Sequence, residues 1–319
     1  MWTYVLRRIL HSLPVYLSII ALMMGALRVE DPVMGFLGKN PNQDDYAAKQ
    51  QALGLDRPFA VQYLRFLGEV VTLDFTVESW DKPGKQVGQL LRESVVPTLA
   101  LTVPALVLTS LISILIGLLS AFYRGRLIDK TLMVAAVLGM SISFLVYIIF
   151  GQYYGAAATG GKFFAISGYD LSENQRNVVQ SWAYYCLLPV IISVIVAMGY
   201  DTRYYRAVMV EESNRDYILT ALAKGASKRK VIFVHMLKNA MISIITRIMI
   251  TLPFLITGSI LLERYFRIPG MGQQLITAIT AKDFPVVQVF TAMFAALFIL
   301  TNILTDVMYA LVDPRVRLS

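Results

Sequence analysis

The segment 155–163 has the composition of a phosphate-binding loop, with three glycines and one lysine. A functional loop needs the pattern G-x4-G-K-[ST], in which backbone amides surround the phosphates and the hydroxyl binds Mg²⁺. Ala156 occupies the position that requires the first glycine, and Phe163 replaces the hydroxyl. The segment therefore predicts no nucleotide site in this chain.

Residue types that build metal and thiol sites are scarce. Cys186 is the single cysteine, which excludes an internal disulfide, and the two histidines are His11 and His235. The patterns H-E-x-x-H, C-x-x-C and G-x-S-x-G do not occur. We therefore expect a protein that is not an enzyme, with no catalytic residue, no metal site and no cofactor of its own.

Two ionisable residues, Arg247 and Asp306, lie within long apolar runs. At a rise of about 1.5 Å per residue, both fall about 10 Å from the same end of their runs. A charge in hydrocarbon costs about 2.5–3.5 kcal/mol on insertion scales, so each side chain needs a partner or water. We hypothesise that the two form a pair or line an inner vestibule. The alternative is that Arg247 extends to the membrane interface.

The apolar residues come in blocks that are too long for ordinary core helices. Of the 319 residues, 56% are hydrophobic and 16% are charged, and the mean hydropathy is +0.60. A membrane-crossing helix needs about 20 mostly apolar residues. Six stretches qualify, at 9–27, 99–123, 131–154, 183–200, 240–262 and 286–311. The sequence predicts an all-α polytopic membrane protein with six transmembrane helices, the first being an uncleaved anchor.

The distribution of charge predicts the orientation. With the N-terminus inside, the inner segments carry 15 basic and 6 acidic residues, and the outer segments carry 13 and 14. The net charge of +8 thus separates into +9 inside and −1 outside, as the positive-inside rule requires. Both termini are expected in the cytoplasm. The excess of positive charge needs no nucleic-acid partner to explain it.

The outer segment 28–98 is long enough to form a small external domain. Polar residues at Gln62, Arg65 and Glu69 within an apolar run predict an amphipathic helix, on the membrane surface or against the spans. The segment is either an external scoop or a packed spacer. We divide the chain into a first span with its N-terminal segment (1–27), this external loop domain (28–98) and a five-span core (99–319).

The inner segment 201–239 combines two helix-like stretches with a glycine between them. Residues 217–224 are compatible with a helix that Gly225 ends as a C-cap, and the basic run 227–230 precedes the second helix. A stiff hairpin of this kind suits a cytoplasmic partner. The alternative is a positively charged loop that only sets the topology.

Ordered motifs run along nearly the whole chain. They are Y-x-L-R-R at 4–8, L-G-L-D-R-P at 53–58, T-A-L-A-K-G at 220–225, H-M-L-K-N-A at 235–240, F-R-I-P-G-M-G at 266–272, K-D-F-P-V-V at 282–287 and N-x3-D-x2-Y-x3-D-P-R at 302–315. In these motifs the chain resembles the inner-membrane permease subunit of an ABC importer of the dipeptide, oligopeptide and nickel type. The resemblance implies a type I importer fold in the bacterial inner membrane.

The resemblance also implies a coupling helix that docks in a groove of the ATPase subunit. The residues placed at this contact are Tyr217, Thr220, Ala221, Ala223, Lys224 and Gly225. The acidic residues Glu211, Glu212 and Asp216 precede them and either pair with the partner or cap the helix. The implied partners are a second homologous permease, two ATPases that bind ATP and Mg²⁺, an external substrate-binding protein and the lipid bilayer.

The chain departs from the family pattern at several positions. Leu219 stands where the wider importer motif begins with glutamate, and Lys238 replaces a proline near its end. The segment 139–144 lacks the proline that this family tends to have, which leaves a kink of the third span open. Peptide is the expected cargo, and nickel or another small solute is the alternative. A secondary transporter, the rival class, would call for an inverted repeat or more charges at the midplane.

Overall fold

The computed structural model describes six stretches of the chain, and the regular elements within them are helices. An isolated antiparallel bridge joins Glu78 to Gln86 and forms no named strand. The described residues are 2–29, 33–34, 42–52, 55–171, 177–252 and 260–312. The all-α fold class predicted from the continuous apolar runs is confirmed over these residues.

Short connections join most of the helices in chain order. The helices are α1 Trp2–Ala26, α2 Gln43–Ala52, α3 Phe59–Thr72, α4 Val87–Phe122, α5 Leu127–Ser141, α6 Phe144–Phe150, α7 Val178–Ser213, α8 Asp216–Ala223, α9 Lys228–Lys230, α10 Leu237–Thr251, α11 Ile260–Phe266, α12 Met271–Ala281 and α13 Phe284–Val312. A π-helical segment, Gly151–Ala157, continues α6. A second one, Val231–Met236, joins α9 to α10.

Five helices of the described residues are long and apolar enough to cross a membrane. They are Leu6–Ala26, Val87–Phe122, Val178–Ser213, Lys228–Thr251 and Phe284–Met308. A sixth span is present if α5 and α6, with the π-helical turn that follows, form one span bent by 88°. Five of the six predicted stretches overlap one of these helices, and the stretch at 131–154 corresponds to the bent pair. Part of the stretch at 240–262, residues 253–259, lies outside the described residues.

Two spans are longer than the apolar stretches that predicted them. α4 begins at Val87, well before the apolar run at 99, and α7 continues to Ser213, well past the end of the run at 200. Charged residues with long side chains form helices readily in water, so a helix need not end where the apolar residues end. As a result Asp201 and Arg206, which the sequence analysis assigned to a loop, lie on α7.

The third span is broken at Ile142 and Ser143, whose backbones are extended. The Tyr147 hydroxyl, on α6, donates a 2.9 Å hydrogen bond to the Gly139 carbonyl oxygen near the end of α5. This bond satisfies one of the carbonyls that a helix end leaves without an intrahelical donor. The bend that the sequence left open is therefore present, and it forms without a proline.

One compact unit lies within Thr98–Ile268 and Leu304–Ser319. Its described core has two clusters of buried apolar side chains, one that includes Ile148 and Cys186 and one that includes Tyr205. Helices α5 and α7 approach closely at Gly199, where an added Cβ would lie 2.7 Å from the Ala136 carbonyl oxygen. Small residues permit this close packing of membrane helices.

The other compact unit lies within Met1–Pro97 and Pro269–Ile303. The predicted amphipathic helix is α3, and its Tyr63 hydroxyl donates a 2.9 Å hydrogen bond to the Leu17 carbonyl oxygen of α1. α3 therefore packs against a span. The buried Asp283 carboxylate accepts hydrogen bonds from the Ser79 hydroxyl and the Asp81 backbone N–H. The division of the chain at residues 27 and 98 stays a prediction.

Candidate functional site

The short helix α8 is defined at both ends by the local sequence. Asp216 lies in its first turn, where a negative charge favours the helix dipole. Beyond its last residue, Ala223, Gly225 has a φ of +80°, a left-handed conformation that glycine adopts without strain. The Gly225 N–H bonds to the Leu222 carbonyl oxygen at 2.9 Å, and the Ala226 N–H bonds to the Ala221 carbonyl oxygen at 3.1 Å. This is a Schellman C-cap. The predicted helix that ends at Gly225 is confirmed.

One face of α8 packs on the core of the unit. Ile218 is buried, and Tyr217 and Ala221 pack beside it against a cluster that includes Tyr205 of α7 and Met236 of the following π-helical segment. Three consecutive elements, α7, α8 and the helix from Lys228 to Thr251, share this cluster. Since protein interiors are close-packed and nearly incompressible, a displacement of α8 is transmitted to both neighbours.

The part of the α8 surface that does not pack on the core exposes two large apolar side chains. Leu219 is 64% exposed and Leu222 is 46% exposed, and they lie three residues apart on one side of the helix. The predicted contact residues Thr220, Ala223, Lys224 and Gly225 are exposed beside them. In the sequence, Leu219 stands out only as a departure from the importer motif. The three-residue spacing of the leucines was the feature that could have identified both.

The acidic residues that precede α8 make contacts within the chain. The Tyr217 hydroxyl donates a 2.6 Å hydrogen bond to Glu212 Oε2. The Arg215 guanidinium donates a 2.9 Å bond to Glu211 Oε1 and lies 3.9 Å from Glu212 Oε1. Burial and the bond to Glu212 raise the pKa of Tyr217 to about 12, so its hydroxyl remains a donor at neutral pH. Asp216 is exposed, and pairing of these acids with a partner protein stays a prediction.

An ion pair with a buried carboxylate fixes the part of α7 that precedes α8. The Arg206 guanidinium donates two 2.7 Å hydrogen bonds to the Asp129 carboxylate, one to each oxygen. The Ser120 hydroxyl donates to the same carboxylate, and the Gly125 N–H donates at 2.9 Å. The pair joins the end of α4 and the start of α5 to α7. Sequence reasoning missed it because both charges were counted as loop charges.

A second ion pair involves one of the two predicted membrane charges. Arg247 Nε donates a 3.0 Å hydrogen bond to Asp201 Oδ1, and its guanidinium carbon lies 5.6 Å from the centre of the Tyr204 ring. Asp306 is half-buried on α13. The adjacent Thr305 hydroxyl donates to the Met249 carbonyl oxygen of α10 at 3.3 Å. The hypothesised contact between Arg247 and Asp306 stays a prediction, and the partner that sequence reasoning missed is Asp201.

Potential metal ligands are not grouped in the described part of the chain. Within it, no set of three or more His, Cys, Asp or Glu side chains could hold an ion. Cys186 is buried in the apolar core. The candidate site is the exposed face of α8, which the sequence predicts to contact a partner protein and which the buried cluster around Ile218 supports.

Comparison with known families assigns nearly the whole chain. Residues 113–318 match the family described as binding-protein-dependent transport system inner membrane component. Residues 1–110 match the family described as the N-terminal part of the same membrane component. The two matches meet within α4.

Curated proteins from several bacteria are similar over their full length. A probable peptide ABC transporter permease protein of Sinorhizobium fredii is 31% identical over 319 residues, covering 99% of this chain and 100% of the relative. A glutathione transport system permease protein of Salmonella paratyphi A is 31% identical, covering 99% of each. An oligopeptide transport system permease protein of Bacillus subtilis is 30% identical, covering 99% and 100%.

Proposed function

Because this chain belongs to the family of binding-protein-dependent transport system inner membrane components, we propose that it is a permease subunit of an ATP-driven peptide importer. Its similar relatives carry the names of peptide, glutathione and oligopeptide permeases. The observation that carries the proposed mechanism is the exposed apolar face of the anchored helix α8. The chain supplies the pathway and the mechanical link, and hydrolysis takes place in a separate subunit.

The proposed orientation places both termini and α8 in the cytoplasm. The support is the distribution of charge, +9 on the inner segments and −1 on the outer ones. The exposed basic residues after α8, Lys228, Arg229 and Lys230, contribute to this excess. In this orientation α8 faces the compartment that contains ATP.

The proposed complex contains four further proteins. A homologous second permease completes the membrane pathway, two ATPases bind ATP and Mg²⁺, and an external binding protein delivers the peptide. The support is the family to which the chain belongs, which is defined by dependence on a binding protein. The two permeases are proposed to rock between inward-open and outward-open states when the ATPases close.

The exposed leucines of α8 and the charges at its two ends suit it to dock in a groove on an ATPase. Fully burying a leucine side chain stabilises a complex by about 1.5–3 kcal/mol, so Leu219 and Leu222 are suited to be its anchors. Asp216 and Lys224 lie near the two ends of the helix and carry opposite charges, which favours one docking direction. Ile218 packs α8 against the buried cluster that includes Tyr205 of α7. Closure of the ATPases would therefore displace α7 together with α8.

The experiment replaces an anchor leucine with aspartate. The wild-type complex, the Leu219→Asp variant and a Leu127→Asp control are reconstituted with ATPases and binding protein, and ATP-dependent uptake of trialanine is measured. Leu127 is 81% exposed at the start of α5, where an acidic residue favours the helix dipole. We expect Leu219→Asp to lose ATPase co-purification and at least tenfold in uptake, because a charge replaces a buried anchor. We expect the control to keep more than half of the wild-type uptake.

Two results would contradict the proposal. Equal uptake by Leu219→Asp and the control would show that α8 is not the docking surface. Absence of ATP-dependent peptide uptake by the wild-type complex would show that the cargo is not a peptide.

A further inference from the structure

A cavity of about 380 Å³ lies within the unit that contains the first helix. Its walls come from the end of α1, from α3 and the residues just before it, from the loop that follows α3, and from the start of α13. Phe66 and Trp80 contribute apolar surface, and arginine and acidic side chains also line it. Its volume is in the lower part of the range for small-molecule sites. The docking proposed for α8 does not involve this cavity.

Arg28 is the most distinctive group in the wall. Its guanidinium donates a hydrogen bond to Gln62 Oε1 and lies 4.7 Å from the centre of the Phe59 ring. The Gln62 amide is itself held in place, because its Nε2 donates a 2.7 Å bond to the Arg57 carbonyl oxygen. The position of Arg28 is therefore fixed by a neutral amide and an aromatic face.

Arg28 forms no ion pair with an acidic side chain of the described residues. Its guanidinium is half-buried, and burial lowers its pKa from the usual value. A partly desolvated guanidinium, most of whose five N–H donors bond to no described residue, is suited to a carboxylate, which it binds through two parallel hydrogen bonds. By contrast Arg65, in the same wall, already pairs with Glu69 at 3.2 Å.

The cavity wall also contains negative charge. Asp56, exposed beside the cavity, carries a carboxylate that no described basic side chain pairs with. A wall that presents both an available cation and an available anion fits a ligand with opposite charges at its ends. A purely anionic ligand would be repelled by Asp56 and Glu69.

We propose that this cavity binds a short zwitterionic peptide, with Arg28 as the ligand of its terminal carboxylate and Asp56 on the side of its ammonium group. The proposal rests on the proposed function, because peptides are the cargo that the importer would bring to the chain. It adds a binding site on the permease itself, apart from the one on the external binding protein. The aromatic and aliphatic wall accommodates variable side chains, so recognition is by the two termini.

The test measures binding in the absence of the external protein. The purified transporter complex, in nanodiscs made of phosphatidylglycerol, is titrated with trialanine, with trialanine amide and with N-acetyl-trialanine. We expect trialanine to bind and the amide to bind at least tenfold more weakly, because it lacks the carboxylate. The acetylated peptide is expected to bind more weakly than trialanine and more tightly than the amide.

Three variants connect this binding to the cavity. Arg28→Gln is expected to raise the dissociation constant of trialanine at least tenfold. Gln62→Glu is nearly isosteric and neutralises Arg28 without removing it, so we expect a similar loss of trialanine binding, although this variant also loses the bond from Gln62 Nε2 to the Arg57 carbonyl oxygen. Arg92→Gln is the control, because Arg92 is exposed in the same unit and does not line the cavity. It is expected to bind as the wild type does.

Each unfavourable outcome is informative. Equal binding of trialanine and its amide, or unchanged binding by both Arg28→Gln and Gln62→Glu, would overturn the proposal. Loss of trialanine binding when phosphatidylethanolamine replaces phosphatidylglycerol would show that the cavity holds that zwitterionic lipid headgroup instead. ATP-dependent uptake of trialanine is measured alongside. If the wild type takes up trialanine but does not bind it at the cavity, only the cavity site is rejected. If the wild type takes up no trialanine, the proposed function as a peptide importer is rejected.

Discussion

The two arginine–carboxylate pairs on α7 differ in how completely they are satisfied. Arg206 contacts Asp129 through two bonds of 2.7 Å, and the side chain of Asp129 is 4% exposed. Arg247 contacts Asp201 through one bond of 3.0 Å, and the side chain of Asp201 is 12% exposed. Two further donors, from Ser120 and Gly125, reach Asp129.

The difference separates a fixed joint from an exchangeable contact. A bidentate pair with additional donors has one favoured geometry, so the Arg206–Asp129 pair holds α4, α5 and α7 together beside α8. The single bond of Arg247 leaves other guanidinium donors available. We therefore expect the Arg247–Asp201 contact to be the easier of the two to exchange for another acceptor.

The largest expected effect comes from breaking the fixed joint. Asp129→Ala leaves Arg206 partly buried without its carboxylate, which costs about 3 kcal/mol in the free energy of unfolding. Asp74→Ala, at an exposed acidic residue, is the control and is expected to cost less than about 0.5 kcal/mol. Denaturant unfolding of the permease in mixed micelles measures both. If Asp129→Ala lowers the free energy of unfolding no more than Asp74→Ala does, the Arg206–Asp129 pair is not a fixed joint.

A smaller effect is expected at the exchangeable contact. A double-mutant cycle with Arg247→Gln and Asp201→Asn should give a coupling free energy of about 1 kcal/mol, because a single, partly exposed bond is lost. A parallel cycle with Asp306→Asn tests the contact predicted from the sequence. Additive effects of Arg247→Gln and Asp306→Asn on ATP-dependent uptake would reject this contact, whereas a coupling between them would support it.

Hydropathy and spacing predicted the spans and the capped helix because both depend on local sequence. Apolar length locates a span, and Gly225 marks a turn that other residues adopt only with strain. The bend at Ile142 could not be predicted in this way, since Tyr147 rather than a proline accompanies the break.

The ion pairs of α7 could not be predicted from the sequence. Counting residues by segment predicted an orientation, but it assigned Asp129, Asp201 and Arg206 to loops. Their partners are 46 to 77 positions away in the chain, and no local pattern specifies such a pairing. The same holds for Leu219, whose exposure depends on which face of α8 packs on the core. The sequence therefore predicted the capped helix α8 without showing which of its faces is exposed.

Labelling of a single introduced cysteine can test whether the exposed face of α8 contacts the ATPases. Cys186 is the single cysteine and is buried, so Leu222→Cys introduces one accessible thiol, and Leu127→Cys provides an equivalent exposed control. The rate of maleimide labelling is measured with and without the partner ATPases. The account predicts that the ATPases slow labelling of Leu222→Cys at least tenfold and leave Leu127→Cys unchanged. Equal labelling rates of Leu222→Cys with and without the ATPases would contradict it.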